Sequence, residues 1–200
     1  MKKLLLSVAL LASSLSFAST WNIDSAHAAA NFSVRHLMVS NVKGTLGQVT
    51  GTVTLDDADV TKSKVDVSID VKGINTKEQK RDDHLRSKDF FDVEKFPVIT
   101  FKSTKIEKAG DKLKVSGDLT IRGVTKSIVL DTTVTPEVKN PFTKAVTRGM
   151  NGTAKINRKD FGLNWNVALE AGGVLVGDEV EISVEAEFIK QEAAAPAPKK

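Results

Sequence analysis

The side chains in this sequence that could carry proton transfer, nucleophilic attack or metal binding fall in a few places. There are three histidines, His27, His36 and His84. His84 ends the charged run Arg81-Asp82-Asp83-His84, and Asp160 follows Arg158 in the run INRKDFG. An aspartate beside a histidine can supply an acid and a base. Hydrolytic or transfer chemistry also requires a nucleophile and a place for a developing oxyanion. The chain has no cysteine, no GxSxG elbow and no glycine loop of the phosphate-cradling kind. No residue is therefore assigned as catalytic, and an exported enzyme using Asp82 with His84, or Asp160, stands as an alternative. Nor do the histidines read as a metal set. His27 and His36 are an odd number of residues apart, so on one continuous strand they point to opposite faces, and no carboxylate or cysteine follows a ligand spacing. The expectation is no metal and no cofactor.

The segment Gly73 to Phe101, which holds His84, interrupts a chain that otherwise reads as strands. It places the charged run beside Leu85, Phe90, Phe91 and Phe96. Arg81, Asp82, His84 and Asp89 can cap and pair short helical turns, with Ser87 as N-cap for Lys88 to Phe91. On that reading the four apolar residues face inward and close one end of a β structure.

The strands that must position this segment show a period of two. Val65, Val67, Ile69 and Val71 alternate with Asp66, Ser68, Asp70 and Lys72, and the same holds along Leu113 to Ile121 and Val180 to Phe188. Adding Ala28–Arg35, Lys43–Leu55, Val98–Ile106, Lys126–Thr135 and Ala145–Asn157 predicts about eight strands, separated by turns such as Ala109-Gly110-Asp111 and Arg122-Gly123. The fold class is all-β, an antiparallel eight-stranded lipocalin-like barrel in preference to a sandwich, with a short helical insertion around residues 76–92. Gly47, Gly51, Gly117, Gly152 and Ala154 share apparent inner faces with larger residues. Either they leave gaps that amount to an internal ligand site, or they bend the strands at bulges.

The ends bound the compartment. Residues 1–18 carry Lys2 and Lys3, the apolar run Leu4 to Leu11, and small residues at Ser16 and Ala18, the three parts of a secretory signal. Cleavage before Ser19 gives an exported, periplasmic protein with one domain over residues 19–190. Residues 191–200, rich in Ala, Pro and Lys, read as a disordered tail. Removing Lys2 and Lys3 from the 29 basic side chains leaves 27 against 25 acidic ones. Near neutrality with interspersed signs argues against a nucleic-acid partner.

Four blocks then carry a resemblance: NFSVRHL at Asn31–Leu37, RDDHLRSKDFFDVEKFPVITF at Arg81–Phe101, GDLTIRGVTK at Gly117–Lys126, and NRKDFGLNW at Asn157–Trp165. In order and spacing they resemble the YceI-like family from about Trp21 to Phe188. The resemblance implies a lipocalin-like periplasmic barrel that binds a polyisoprenoid, of quinone or prenyl pyrophosphate type, or a similar long amphiphile in its interior. It also implies a role in transport, storage or stress response, and pairing into homodimers. No transmembrane segment is expected.

An apolar tail needs contiguous apolar lining, each buried methylene contributing about 0.8 kcal/mol. The lining candidates are Phe32 and Val34 on the first strand, then Val49, Val53, Val67 and Ile69. Further along the chain they are Phe90, Phe91, Ile99 and Phe101, and finally Leu119, Ile121, Met150 and Trp165. Arg35, His36, Arg81 and His84 are the candidate head-group contacts, since paired guanidinium donors suit phosphate oxygens. A protein-binding envelope module with no internal ligand is the remaining alternative.

Overall fold

A computed structural model describes residues 18–170 and 172–192. The expected leader and tail therefore lie outside the described residues, apart from Ala18, Gln191 and Glu192. The strands are β1 (Ala18–His36), β2 (Ser40–Thr45), β3 (Val49–Asp56), β4 (Lys64–Asp70) and β5 (Val98–Ala109). They continue as β6 (Lys112–Ile121), β7 (Val124–Val134), β8 (Val138–Lys139), β9 (Val146–Asn157) and β10 (Val176–Lys190). One α-helix, α1 (Gln79–Arg86), lies between β4 and β5.

All pairings are antiparallel. The order β1-β3-β4-β5-β6-β7-β9-β10 closes on itself because β10 pairs with both β9 and β1. That is the eight-stranded lipocalin-like barrel expected from the alternation. The short β2 and β8 hang from β1 and β9. Among the described residues no helix is long and apolar enough to cross a membrane.

The alternation translates directly into inside and outside. Along β6, Val115, Gly117, Leu119 and Ile121 are buried while Lys112, Lys114 and Asp118 are exposed. One expected strand is two: Lys43–Leu55 breaks at Leu46-Gly47-Gln48 into β2 and β3. A Cβ on Gly47 would stand 1.8 Å from the carbonyl oxygen of Asp70, so the chain crosses there at a distance only glycine allows. This break lets β1 pair with β3 through its first residues, Ala18–Asn22, and with β2 through Asn31–His36.

The barrel interior is filled unevenly. At one end Trp21, Ala186 and Phe188 form a buried cluster with Val53, Leu55, Val146 and Met150 packed around it. Trp21 donates from Nε1 to Ser19 Oγ at 2.9 Å, and Arg148 and Lys190 lie over its ring at 5.4 and 5.3 Å. The middle is closed by Val49, Ile69, Phe101, Ile106, Val115 and Leu119. The expectation that small inner residues leave gaps fails at Gly117, where the Phe101 ring occupies the space a side chain would take.

A Cβ at position 117 would fall 2.5 Å from both Phe101 Cζ and the backbone oxygen of Lys102. The ring can turn but the backbone cannot, so Gly117→Ala forces β5 and β6 apart. Denaturant unfolding of this variant is expected to show a loss of about 1–3 kcal/mol.

Candidate functional site

The hollow part of the interior lies at the end covered by α1. The helix starts because Glu78 caps it, its carboxylate accepting from Lys80 N at 3.2 Å and Arg81 N at 2.6 Å. It stops at Ser87, whose Oγ donates to His84 O at 2.8 Å. Ser87 thus closes α1 and does not open a second helix, and Lys88–Phe91 form turns.

Two arginines and a buried carboxylate tether the helix to the chain before it. Asp82 Oδ1 accepts from Thr76 N at 2.8 Å and Thr76 Oγ1 at 2.5 Å. Arg81 donates from Nε to Thr76 Oγ1 at 2.7 Å and from a terminal nitrogen to Thr76 O at 3.1 Å. Arg86 reaches Ile74 O at 3.1 Å and Asp83 Oδ1 at 2.8 Å, and this contact holds the Asp83 carboxyl below the usual carboxylate range. Asp82 is therefore occupied as an anchor.

Beneath the helix is a cavity of about 390 Å³. Its apolar wall combines Phe32 and Val34 from β1, Leu85 from α1, Phe90 and Phe91, and Ile99 and Ile121. Ile156, Leu163, Trp165, Val180 and Ile182 complete the opposite side. It reaches solvent where the exposed Arg35, Glu78 and Lys80 form its rim, with Arg81, His36 and His84 just inside. His84 meets Phe90 and Trp165 edge-on at 5.0 and 4.8 Å and pairs through Nε2 with Asp89 at 2.9 Å.

Seven of the lining candidates, Phe32, Val34, Phe90, Phe91, Ile99, Ile121 and Trp165, stand on this wall, as do Arg35, His36, Arg81 and His84. Val49, Ile69, Phe101 and Leu119 lie in the packed middle and Val67 against it. Val53 and Met150 border the cluster around Trp21 at the other end. Alternation specifies which side chains face inward; their height along the axis follows from strand stagger, which the pattern does not encode.

Arg158, in the sequence a neighbour of Asp160 within the NRKDFGLNW block, organises the third side of the cavity. It is buried and donates to Gly177 O at 2.8 Å and Trp165 O at 2.9 Å, and also to Leu163 O and to Asp178 Oδ1 at 3.3 Å. Burial lowers its pKa while the nearby Asp178 carboxylate works in the opposite direction. Asp160 is exposed and not on the cavity wall. Asp82, His84 and Asp160 thus do not converge on one point.

Among the described residues, one group of three metal-competent donors exists: Asp24, His27 and Glu187, with donor atoms within 4.8 Å of one another. It sits on the outer surface. No ligand spacing signalled it because a bulge between Asp24 and Ala28 shifts the β1–β10 register and brings His27 to the face of Asp24. The arrangement is an exposed ion pair, His27 Nδ1 to Asp24 Oδ2 at 2.8 Å.

A closed antiparallel barrel with a helix-covered apolar cavity defines the class of lipocalin-like barrels. The sequence profile of the YceI-like domain matches residues 21–188, so the chain belongs to the YceI-like family. A UPF0312 protein of Staphylococcus aureus strain MSSA476 is 39% identical over 170 residues, covering 85% of this chain and 97% of its own length. A Campylobacter jejuni YceI protein of known structure is 34% identical, with a TM-score of 0.66 over 78% of this chain and 90% of its own. Burkholderia cenocepacia BcnA, 25% identical, superposes with a TM-score of 0.70 over 82% and 98% of the two chains. A polyisoprenoid binding domain from Saccharophagus degradans shares the fold at 14% identity, with a TM-score of 0.61 over 86% and 98%.

Asp82→Ala leaves the Thr76 amide and hydroxyl without their acceptor, and chemical denaturation is expected to show a loss of about 1–3 kcal/mol. The hydrogen bond that protonated His27 donates to the Asp24 carboxylate raises the His27 pKa, and the same contact lowers that of Asp24. The pair's contribution is then complete below the unfolded histidine value near 6.5 and fades as pH rises through the raised value; on the acid side it fades as pH falls through the depressed Asp24 value. An NMR titration should place the His27 midpoint above about 6.5, with Asp24→Asn returning it toward that value.

Proposed function

We propose that this protein is a periplasmic binding protein for a long-chain amphiphile, of polyisoprenoid type, whose tail lies in the cavity under α1. The observation that carries the reading is the cavity itself: a largely apolar wall whose one buried cation, Arg158, is taken up by main-chain carbonyls and Asp178, with Arg35, Lys80 and Arg81 toward the rim. Its volume of about 390 Å³ falls within the range of about 300–1,000 Å³ typical of small-molecule sites. Arg35, Arg81, His36 and His84 are placed to meet a polar or anionic head group at that rim, Arg81 being already ordered by Thr76. The polyisoprenoid binding domain from Saccharophagus degradans supports the ligand class through its shared fold. Export rests on the leader-like residues 1–18. Transport, storage and a part in stress response are each compatible with such a carrier.

Native mass spectrometry after mild purification should find a lipid-sized adduct that denaturation releases. Trp165 stands on the cavity wall and Trp21 is buried at the opposite end, and they are the two tryptophans of the chain. Titrating a Trp21→Phe variant with a short-chain isoprenoid is expected to change the Trp165 fluorescence saturably. Val180→Trp, which fills the cavity from β10, should abolish both the adduct and the fluorescence change. A protein that takes up no lipid in either assay is not a lipid carrier.

A further inference from the structure

The hairpin joining β1 to β2 turns through Leu37, Met38 and Val39, and all three side chains are exposed, at 40%, 51% and 74%. Leu37 and Met38 both adopt left-handed backbone, at φ 51° and 61°. Consecutive positive φ values at a hairpin tip favour Asn-Gly or similar pairs, and residues with branched or long apolar side chains are poor choices there. The turn therefore carries apolar side chains against both solvation and backbone preference.

The neighbours of this tip extend the same surface. Leu37 N donates to Leu175 O at 2.8 Å, and Leu175 N donates to Val167 O at 2.9 Å. Val167 is itself 47% exposed. Leu175, two residues beyond the Gly172-Gly173 pair, is part of the cavity wall, as are Arg35 and His36 just before the tip. The exposed apolar residues are thus continuous with the cavity's opening. The charges at that opening are Arg35, Lys80 and Arg81 against Glu78, whose carboxylate is taken up in capping α1. Glu170, on the loop of Val167, is a further acid.

We infer that Leu37, Met38, Val39 and Val167 form a lip that docks the cavity opening onto a bilayer containing anionic phospholipid. The inference rests on the lipid-carrier reading, which gives the cavity a reason to face a membrane. Apolar side chains enter the region between head groups and acyl chains, and Arg35, Lys80 and Arg81 meet the anionic head groups. A loop that must insert exposed leucine and methionine cannot use the residue pair its geometry favours.

The test is flotation of the purified protein with vesicles of phosphatidylcholine, with and without phosphatidylglycerol. Wild type is expected to float with the anionic vesicles and to release as salt is raised. The double variant Leu37→Asn, Met38→Gly should lose vesicle partitioning by at least about tenfold while its thermal midpoint holds or rises, since it installs the preferred turn pair. Lack of flotation by wild type, or equal flotation by the variant, overturns the inference. So does a wild-type dimer that the variant dissociates while neither protein floats, which would make the lip a contact between two copies. Lipid copurifying with both proteins, measured by mass spectrometry, separates this from the carrier reading. Flotation without copurified lipid supports docking and counts against the carrier alone, whereas lipid without flotation does the reverse.

Discussion

The closure of the sheet through β10 is the constraint from which the rest follows. Because β10 hydrogen-bonds to β9 along one edge and to β1 along the other, every inward side chain shares one bounded interior. A bounded interior has to be filled or left hollow, region by region. Trp21 and Phe188 fill most of one end, Phe101 folded over Gly117 helps fill the middle, and a cavity of about 390 Å³ remains beneath α1.

What keeps that volume from collapsing is the set of polar tethers around it. The helix is short, eight residues, and a helix of that length is marginal unless capped and held by tertiary contacts. Glu78 supplies the cap, Asp82 and Arg81 tie the helix to Thr76, and Arg86 ties it to Ile74 O. Across the cavity, Arg158 gathers backbone carbonyls from Leu163, Trp165 and Gly177 and so holds an otherwise irregular segment in place. Charged residues that look like reagents in a list of motifs act here as supports for an apolar wall.

The sequence made the strands legible because each is half-buried, and half-burial writes a period of two. It made α1 legible as an interruption of that period, and the four blocks that include it carried the family resemblance. The division of Lys43–Leu55 was hidden because it depends on Gly47 meeting the backbone at Asp70, a contact between distant parts of the chain. The proximity of Asp24 and His27 was hidden by a bulge, which changes the parity on which every face assignment relied. Arg158 carried no signal of its own, since its partners are main-chain carbonyls and any sequence supplies those. Lining residues could be named by face but not by height, which is why Val53 and Met150 fall at the end opposite Phe90 and Trp165.

The cluster around Trp21 and Phe188 has a consequence of its own. A tube open at both ends could pass a chain through; one stoppered by an indole and a phenyl ring is a blind sleeve. Whatever enters beside α1 must back out the way it came, with its buried end last to leave. On the carrier reading, geometry alone then imposes a direction, and the polar end of an amphiphile is the end left at the opening. On the same reading, departure slows with every further carbon seated in the sleeve, so dwell time would be graded by the length of the guest.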